Sequence, residues 1–313
     1  MRRFVIQFFT FCLLITLLIV LTFSLSLTVN RPETVKILNP NTIDSADIII
    51  LGDSRADRQI NPEIINDNLN LNCLNIAESS LDLFSLSRRL IQNHVKSHIR
   101  RKQILIISAS SWQINDGSTG NGYFRKEAFN NLSLLEKFNL YSDNLKELIL
   151  MNRKLIIDKE VNINFGNINR SLNSGFRNIN CRDFDTTKML LNHPWYRNIR
   201  TNGIKQELLK KGLINLNKLN CKIIIFNAPV YSKFKKYAKN NGVWEMENNF
   251  NNFIKSTIKS QKLSNLYFHD LRNLNGFEYN DYYDPQHFCV NGANKFTEKI
   301  ISIFKLKNVG KGD

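Results

Sequence analysis

Hydrophobic and polar positions along this chain fall into two rhythms. Short apolar runs, mostly rich in isoleucine and of strand length, recur at Ile48 to Leu51, Cys73 to Ile76, Ile104 to Ile107, Ile223 to Phe226 and Leu266 to Phe268. Elsewhere the apolar residues step by three or four. In LDLFSLSRRLIQNHVKSHI, Leu83, Leu86 and Leu90 join Phe84, Ile91 and Val95 on one side of a helix. Ile204, Leu208 and Leu219 mark a helix before the fourth run, and Ala293, Phe296, Ile300 and Phe304 mark one after the fifth. Runs buried on both faces and separated by helices predict an α/β domain built on a five-stranded parallel, doubly wound sheet of the flavodoxin-like type.

Two stretches break these rhythms. The opening MRRFVIQFFTFCLLITLLIVLTFSLSLTV carries Arg2 and Arg3 and then, from Phe4 to Phe23, about 20 mostly apolar residues without a charge, enough to span a bilayer. A secretory signal peptide has the same plan, but its apolar core is shorter, about 7 to 15 residues, and a small-x-small cleavage site normally follows it. Residues 1–29 are therefore read as a transmembrane anchor, with a cleaved signal as the alternative. The arginine pair keeps the amino end inside and sends the rest outside the cytoplasm, as a single-pass membrane protein. Residues 30–45 form a stalk, 46–306 the α/β domain and 307–313 a flexible tail. The second break, 113–203, holds NDGSTGNGYF, a helical stretch near 132–157 and a section rich in asparagine, glycine and serine from 162 to 182. A loop of that length is unusual inside a compact domain, so it is read as an inserted lid or subdomain.

Composition narrows the class. With 313 residues, 42% hydrophobic and 22% charged, the chain can bury a large core and is not of the disordered type. The net charge of +16 invites a nucleic-acid reading through Arg100-Arg101-Lys102 and KFKKYAK at 233–239. Export argues against it, and the lysines are spread among asparagines and isoleucines along the whole length. A solvated basic surface is expected, with anionic lipid or an acidic polymer as the next reading. Cys12 lies in the anchor, and Cys73, Cys181, Cys221 and Cys289 are scattered without C-x-x-C or zinc spacing. Buried unpaired thiols are expected, although an oxidising compartment would permit one disulfide. No metal and no cofactor are expected.

The candidate chemistry begins in ADIIILGDSRADRQINPE, where an apolar run ends in Gly52-Asp53-Ser54. Ligands of doubly wound sheets bind at the carboxyl ends of the strands, where the winding reverses; with strand order 2-1-3-4-5 the first strand flanks that point. A serine there needs a base. His94 and His98 lie on a predicted surface helix, His193 near the insertion, and His269 at the end of the fifth run. His287, in DYYDPQHFCVNGANKFTEK, follows the fifth strand and so shares the edge of Ser54. Three residues of separation let Asp284 reach one imidazole nitrogen while the other faces the hydroxyl, and Pro285 restricts the turn. Arg55 is read as an anion-binding or surface ion-pair residue, Asp270, Asp281 and His269 as structural or rim groups, and Trp112, Trp195 and Trp244 as core residues rather than sugar platforms.

Gly-Asp-Ser after a first strand, with Asp-x-x-His before a last helix, resembles the SGNH (GDSL-type) hydrolase superfamily. The closest similarity is to its membrane-anchored bacterial members, associated with acyl transfer onto cell-envelope or exported polysaccharides. The likeness covers about 46–112 and 219–304. It implies Ser54 as nucleophile, His287 as general base and Asp284 as its orienting partner. It also implies an oxyanion hole of the Ser54 N–H, a glycine N–H after the second strand and an asparagine side chain after the third. Here NIAESS puts Ser80 in the glycine position, and SASSWQ lacks the Gly-x-Asn-Asp signature, leaving Ser110, Ser111 or Gln113 as substitute donors. The expected function is O-acetylation or deacetylation of an envelope or exported polysaccharide. The acceptor would be a carbohydrate polymer or glycolipid, and the acyl group would be delivered by an integral-membrane acyltransferase. A general esterase or lipase, and a catalytically weak polysaccharide-binding or assembly protein, are the alternatives.

Overall fold

The computed structural model describes residues 2–27, 40–79, 81–91, 96–116, 175–184, 196 and 199–306. The chain divides into two compact units, residues 1–34 with 123–164, and residues 35–122 with 165–313. In the first, the described part is one helix, α1 (Arg2–Leu27), free of proline and glycine. Its described side chains, from Arg3 to Leu18, are exposed apart from Cys12, and they include Phe4, Phe8, Phe9, Leu13 and Leu17. Thr10 and Thr16 return their hydroxyl protons to the carbonyls of Ile6 and Cys12, both at 2.8 Å, which satisfies them without water. Among the described residues no helix meets the length and hydropathy of a membrane crossing. The side chains described for α1 cover a stretch shorter than the about 20 residues a bilayer needs.

The second unit begins with α2 (Pro40–Ser45) and carries the sheet: β1 (Ile48–Gly52), β2 (Cys73–Asn75), β3 (Ile104–Ser108), β4 (Lys222–Asn227) and β5 (Leu266–Asp270). All neighbouring pairs are parallel and the order is β2-β1-β3-β4-β5. The strands are isoleucine-rich because β1 and β3 are buried over their whole length, so both faces need apolar side chains. Each predicted strand is present, within one or two residues at its ends.

The helices depart further from expectation. Between β1 and β2 lie α3 (Ser54–Gln59) and α4 (Pro62–Leu69), the latter started by Asn61 as N-cap with Pro62 at its first position. The helix after β2 is α5, Leu83–Leu90, capped by the Asp82 side chain on Ser85 N–H; Val95 and His94 fall outside the described residues. The helix before β4 is α6 (Ile204–Leu216), and Leu219 lies beyond it, buried in the following turn. Two helices not read from the sequence connect β4 to β5: α7 (Ser232–Asn240) and α8 (Val243–Ser260). Lysine dominates α7, and the inward face of α8 mixes Val243, Met246, Phe250 and Ile254 with buried Glu247 and Asn251, which breaks the apolar stripe.

After β5 come the short antiparallel strands β6 (Tyr282–Asp284) and β7 (His287–Phe288), then α9 (Val290–Ile303). The first residues of the stretch read as an insertion are packed into the domain. Gln113, Ile114 and Asn115 are buried, with Ser111–Ile114 forming a 3-10 turn after β3. Asp116 N–H donates to Arg200 O at 2.7 Å and Arg200 N–H to Asn115 Oδ1 at 2.9 Å, joining the two ends of the inserted stretch.

The thiol expectation is corrected. Cys181 and Cys289 form a disulfide across 108 positions, while Cys73 and Cys221 are free and buried. The bond forms because 175–184 runs along the start of α9, where Val290 N–H donates to Ile179 O at 2.8 Å. Nothing in the spacing of the cysteines carries that contact.

Candidate active site

β1 ends in Gly52 at φ 112, a backbone conformation that side chains avoid, and a Cβ there would lie 2.6 Å from Ser108 Oγ and closer still to Ser108 O. The chain then turns into α3 with Asp53 as its N-cap. The Asp53 carboxylate accepts from Arg55 N–H at 3.0 Å, from Ser108 Oγ at 2.7 Å and from Ser110 Oγ. Ser108 Oγ in turn accepts from the N–H groups of Asp53 and Ala56, each at 3.1 Å. The end of β3 thus locks the turn after β1, and Ser54 stands as the first residue of α3. Its N–H belongs to the helix start, where N–H groups have no intrahelical acceptor.

The second piece arrives from β6 and β7, whose register sets Asp284 opposite His287. His287 Nδ1 lies 2.8 Å from Asp284 Oδ2 and 2.9 Å from Oδ1, and Nε2 lies 2.8 Å from Ser54 Oγ. Asp284 Oδ1 also accepts the N–H groups of Gln286 at 2.9 Å and His287 at 3.0 Å. Burial works against the charge of Asp284, but the imidazole, these N–H donors and the Arg58 charge outweigh it and hold the carboxyl down at about 2. An ionised Asp284 keeps a proton on Nδ1, which leaves Nε2 as the acceptor for the Ser54 hydroxyl. The structure therefore brings together Ser54, His287 and Asp284 at the carboxyl edge of the sheet, in hydroxyl–imidazole–carboxylate order.

Arg55 corrects its reading. It is 2% exposed, neither a surface ion pair nor open to an anion. Its guanidinium donates to Asn227 Oδ1 at 2.7 Å and to Gln286 Oε1 at 3.1 Å, and stands 3.8 Å from Glu247 Oε1. Burial disfavours its charge, yet Glu247, Tyr196 and Asp53 together raise its affinity for the proton above the ordinary value. Glu247 accepts from Asn227 Nδ2 at 2.7 Å, and Tyr196 donates to Gln286 Oε1 at 2.7 Å. Gln286 sits between Asp284 and His287, so this buried network fixes the histidine loop against α3 and α8. The sequence carried two signals of it: β4 ends its apolar run in Asn227, and an acid occupies the inward stripe of α8.

The oxyanion candidates fare unevenly. Glu78 N–H donates to Gly52 O at 3.0 Å, so the chain after β2 passes beside the nucleophile turn; Ser80 itself lies outside the described residues. The Ser111 hydroxyl donates to Glu247 Oε1 at 2.8 Å. Ser110 donates to Asp53, and Gln113 Oε1 accepts Leu83 N–H at 3.2 Å. All three are buried.

The remaining candidates lie apart. His98 Nδ1 pairs with Asp44 at 2.6 Å, and the His269 ring packs on Phe304 at 5.0 Å. Asp270 pairs with Arg272 and Asp281 with Lys295. Trp112 is buried, and Trp244 lies under the Arg272 guanidinium, 4.7 Å from its ring centre. His94, His193 and Trp195 fall outside the described residues. Among the described residues no group of three or more His, Cys, Asp and Glu side chains is arranged to hold a metal ion.

No protein-family model matches the chain, and no curated protein sequence matches it. Among solved structures it overlaps the lipase Lip_vut3 from a goat rumen metagenome, with TM-score 0.39 and 10% identity over 84% of this chain and 97% of that one. It also overlaps "a putative platelet activating factor from Streptococcus pneumonia", with TM-score 0.41 and 9% identity over 87% of this chain and 92% of that one. Overlap at these scores carries no argument about the chemistry, which stands on the geometry above.

Proposed function

We propose that the chain is a membrane-anchored, extracytoplasmic serine acyl-transfer enzyme of the SGNH superfamily, and that it adds acetyl groups to, or removes them from, a cell-envelope or exported polysaccharide. The observation that carries the reading is the 2.8 Å contact of Ser54 Oγ with a His287 held by Asp284. In the reaction Ser54 Oγ attacks the acyl carbonyl while its proton passes to His287 Nε2. The tetrahedral oxyanion faces the Ser54 N–H, and its collapse releases the leaving oxygen, which takes the proton back from His287. The acyl-Ser54 is then attacked by a carbohydrate hydroxyl or water, deprotonated by the same nitrogen. The anchor reading draws support from an α1 that begins with Arg2 and Arg3 and continues without a charge, and the exported placement from the disulfide.

Membranes carrying the full chain, an acyl donor partner and candidate polymer should gain polymer-bound acetyl groups. His287→Ala should abolish the gain; equal gain in that variant would contradict the assignment. The bonds of Ser110 and Ser111 to the scaffold favour a second reading, a catalytically weak binding protein, because losing one oxyanion donor costs about a hundredfold to a thousandfold in rate. A general esterase would instead cleave simple aryl acetates rapidly with no sugar present.

A further inference from the structure

Arg58 lies one helical turn beyond Ser54, and residues four apart share a face of a helix. Its Nε is buried and has no hydrogen-bond partner among the described residues. Burial and the charge of Arg177 push its pKa below the ordinary value, against the pull of Asp284, Asp57 and Tyr283. Arg177 belongs to the segment 175–184, and its guanidinium stands 3.7 Å from the Asp57 carboxylate. On the same segment Arg182 stacks over the Tyr283 ring, 3.8 Å from its centre. Cys181 ties that segment to Cys289, two residues beyond His287. Arg58 and Arg177 thus act on one another close to Asp284, and Arg182, five residues beyond Arg177, lies over the ring of the neighbouring Tyr283.

Asp57 offsets part of this charge from beside Arg177, but it leaves the buried Arg58 Nε–H without an acceptor. Asp284 is engaged by His287 and two backbone N–H groups. Two guanidiniums crowded together, one with a buried unbonded N–H, make a site that an oxyanion completes, since the arginine fork matches carboxylate and phosphate bidentately. We propose that Arg58 and Arg177, with Arg182 at the rim, bind a carboxylate or phosphate carried by the sugar substrate of Ser54. Four residues of helix set the backbone of Arg58 about 6 Å along α3 from that of Ser54, so an anion held by its side chain can belong to the sugar that bears the reacting hydroxyl. The substrate class is accordingly an acidic polysaccharide, and this assignment rests on the proposed role of Ser54.

The test is calorimetric titration of the full chain in zwitterionic micelles at low salt. The probes are inorganic phosphate, an oligogalacturonate and a neutral oligosaccharide of equal length. Wild type and Ser54→Ala should bind both anions alike and the neutral sugar weakly. Arg58→Gln and Arg177→Gln should each lose about tenfold or more in affinity, with Arg58→Lys in between because it keeps the charge without the fork. Circular dichroism identifies any variant that fails to fold, and the exposed Arg182→Gln, expected to weaken binding, then stands in for it. No binding of either anion, or binding unchanged in every folded arginine variant, would overturn the proposal. Arginine-dependent binding to anionic lipid vesicles with none to the oligogalacturonate would overturn the sugar assignment. Arginine-dependent binding in a chain whose Ser54 proves inert would sink the enzyme reading and leave this site standing; a reactive Ser54 with no anion binding would do the reverse.

Discussion

Ser54 Oγ and His287 Nε2 stand 2.8 Å apart although 233 positions separate them in the chain. The contact exists because β1 and the segment after β5 both deliver their following loops to the carboxyl edge of one parallel sheet. Asp284 is the third member, and its oxygens accept the other imidazole nitrogen. Asp284→Asn should therefore leave the fold intact but put the imidazole proton on the wrong nitrogen. The rate of acyl-enzyme formation from an aryl acetate, followed by stopped flow, should fall by about a thousandfold to ten-thousandfold.

The same carboxylate makes stability pH-dependent. Its folded-state value of about 2 lies below the ordinary 3.8, so its contribution is fully present above the unfolded value and is lost as pH falls through the folded one. The contribution is on the order of 2 kcal/mol. Urea unfolding should show the stability gap between wild type and Asp284→Asn to be constant above about pH 5 and to close between pH 4 and pH 2.

Gly52→Ala meets two obstacles at once, the positive φ of 112 and the backbone of Ser108. A loss of about 2 to 4 kcal/mol is expected in urea unfolding, together with slower acylation of Ser54, because the nucleophile turn must shift. An unchanged midpoint would show that the turn is looser than its hydrogen bonds indicate.

Glu247 faces a buried arginine on one side and Asn227 and Ser111 on the other. Glu247→Ala strands the Arg55 charge and should cost about 3 to 5 kcal/mol, whereas the Arg55→Met, Glu247→Leu pair should recover much of that. As a positioning effect, the loss should also appear in the acylation rate, with partial rescue by Glu247→Gln, which keeps one of the two acceptor oxygens.

The sheet was legible because parallel strands buried on both faces leave unbroken isoleucine runs, and Ser54, Asp284 and His287 stand out as candidates through Gly-Asp-Ser after the first run and Asp-x-x-His between the fifth run and the last helix. Helix α8 was not, since Glu247 and Asn251 interrupt the inward stripe that identifies a helix. The partners of Arg55 and the grouping of Arg58, Arg177 and Arg182 depend on contacts between distant segments, as does the Cys181–Cys289 bond. Pairing at such separations leaves no periodicity to read. After β3, where the resemblance implies an asparagine donor, the hydroxyls of Ser110 and Ser111 bond to Asp53 and Glu247.

The most direct test of the central claim is labelling of the full chain with a serine-directed fluorophosphonate, read by mass spectrometry. Covalent adduct on Ser54, absent in Ser54→Ala and slowed by at least about a hundredfold in His287→Ala, is the result predicted. A wild-type chain that takes up no more label than Ser54→Ala would contradict it.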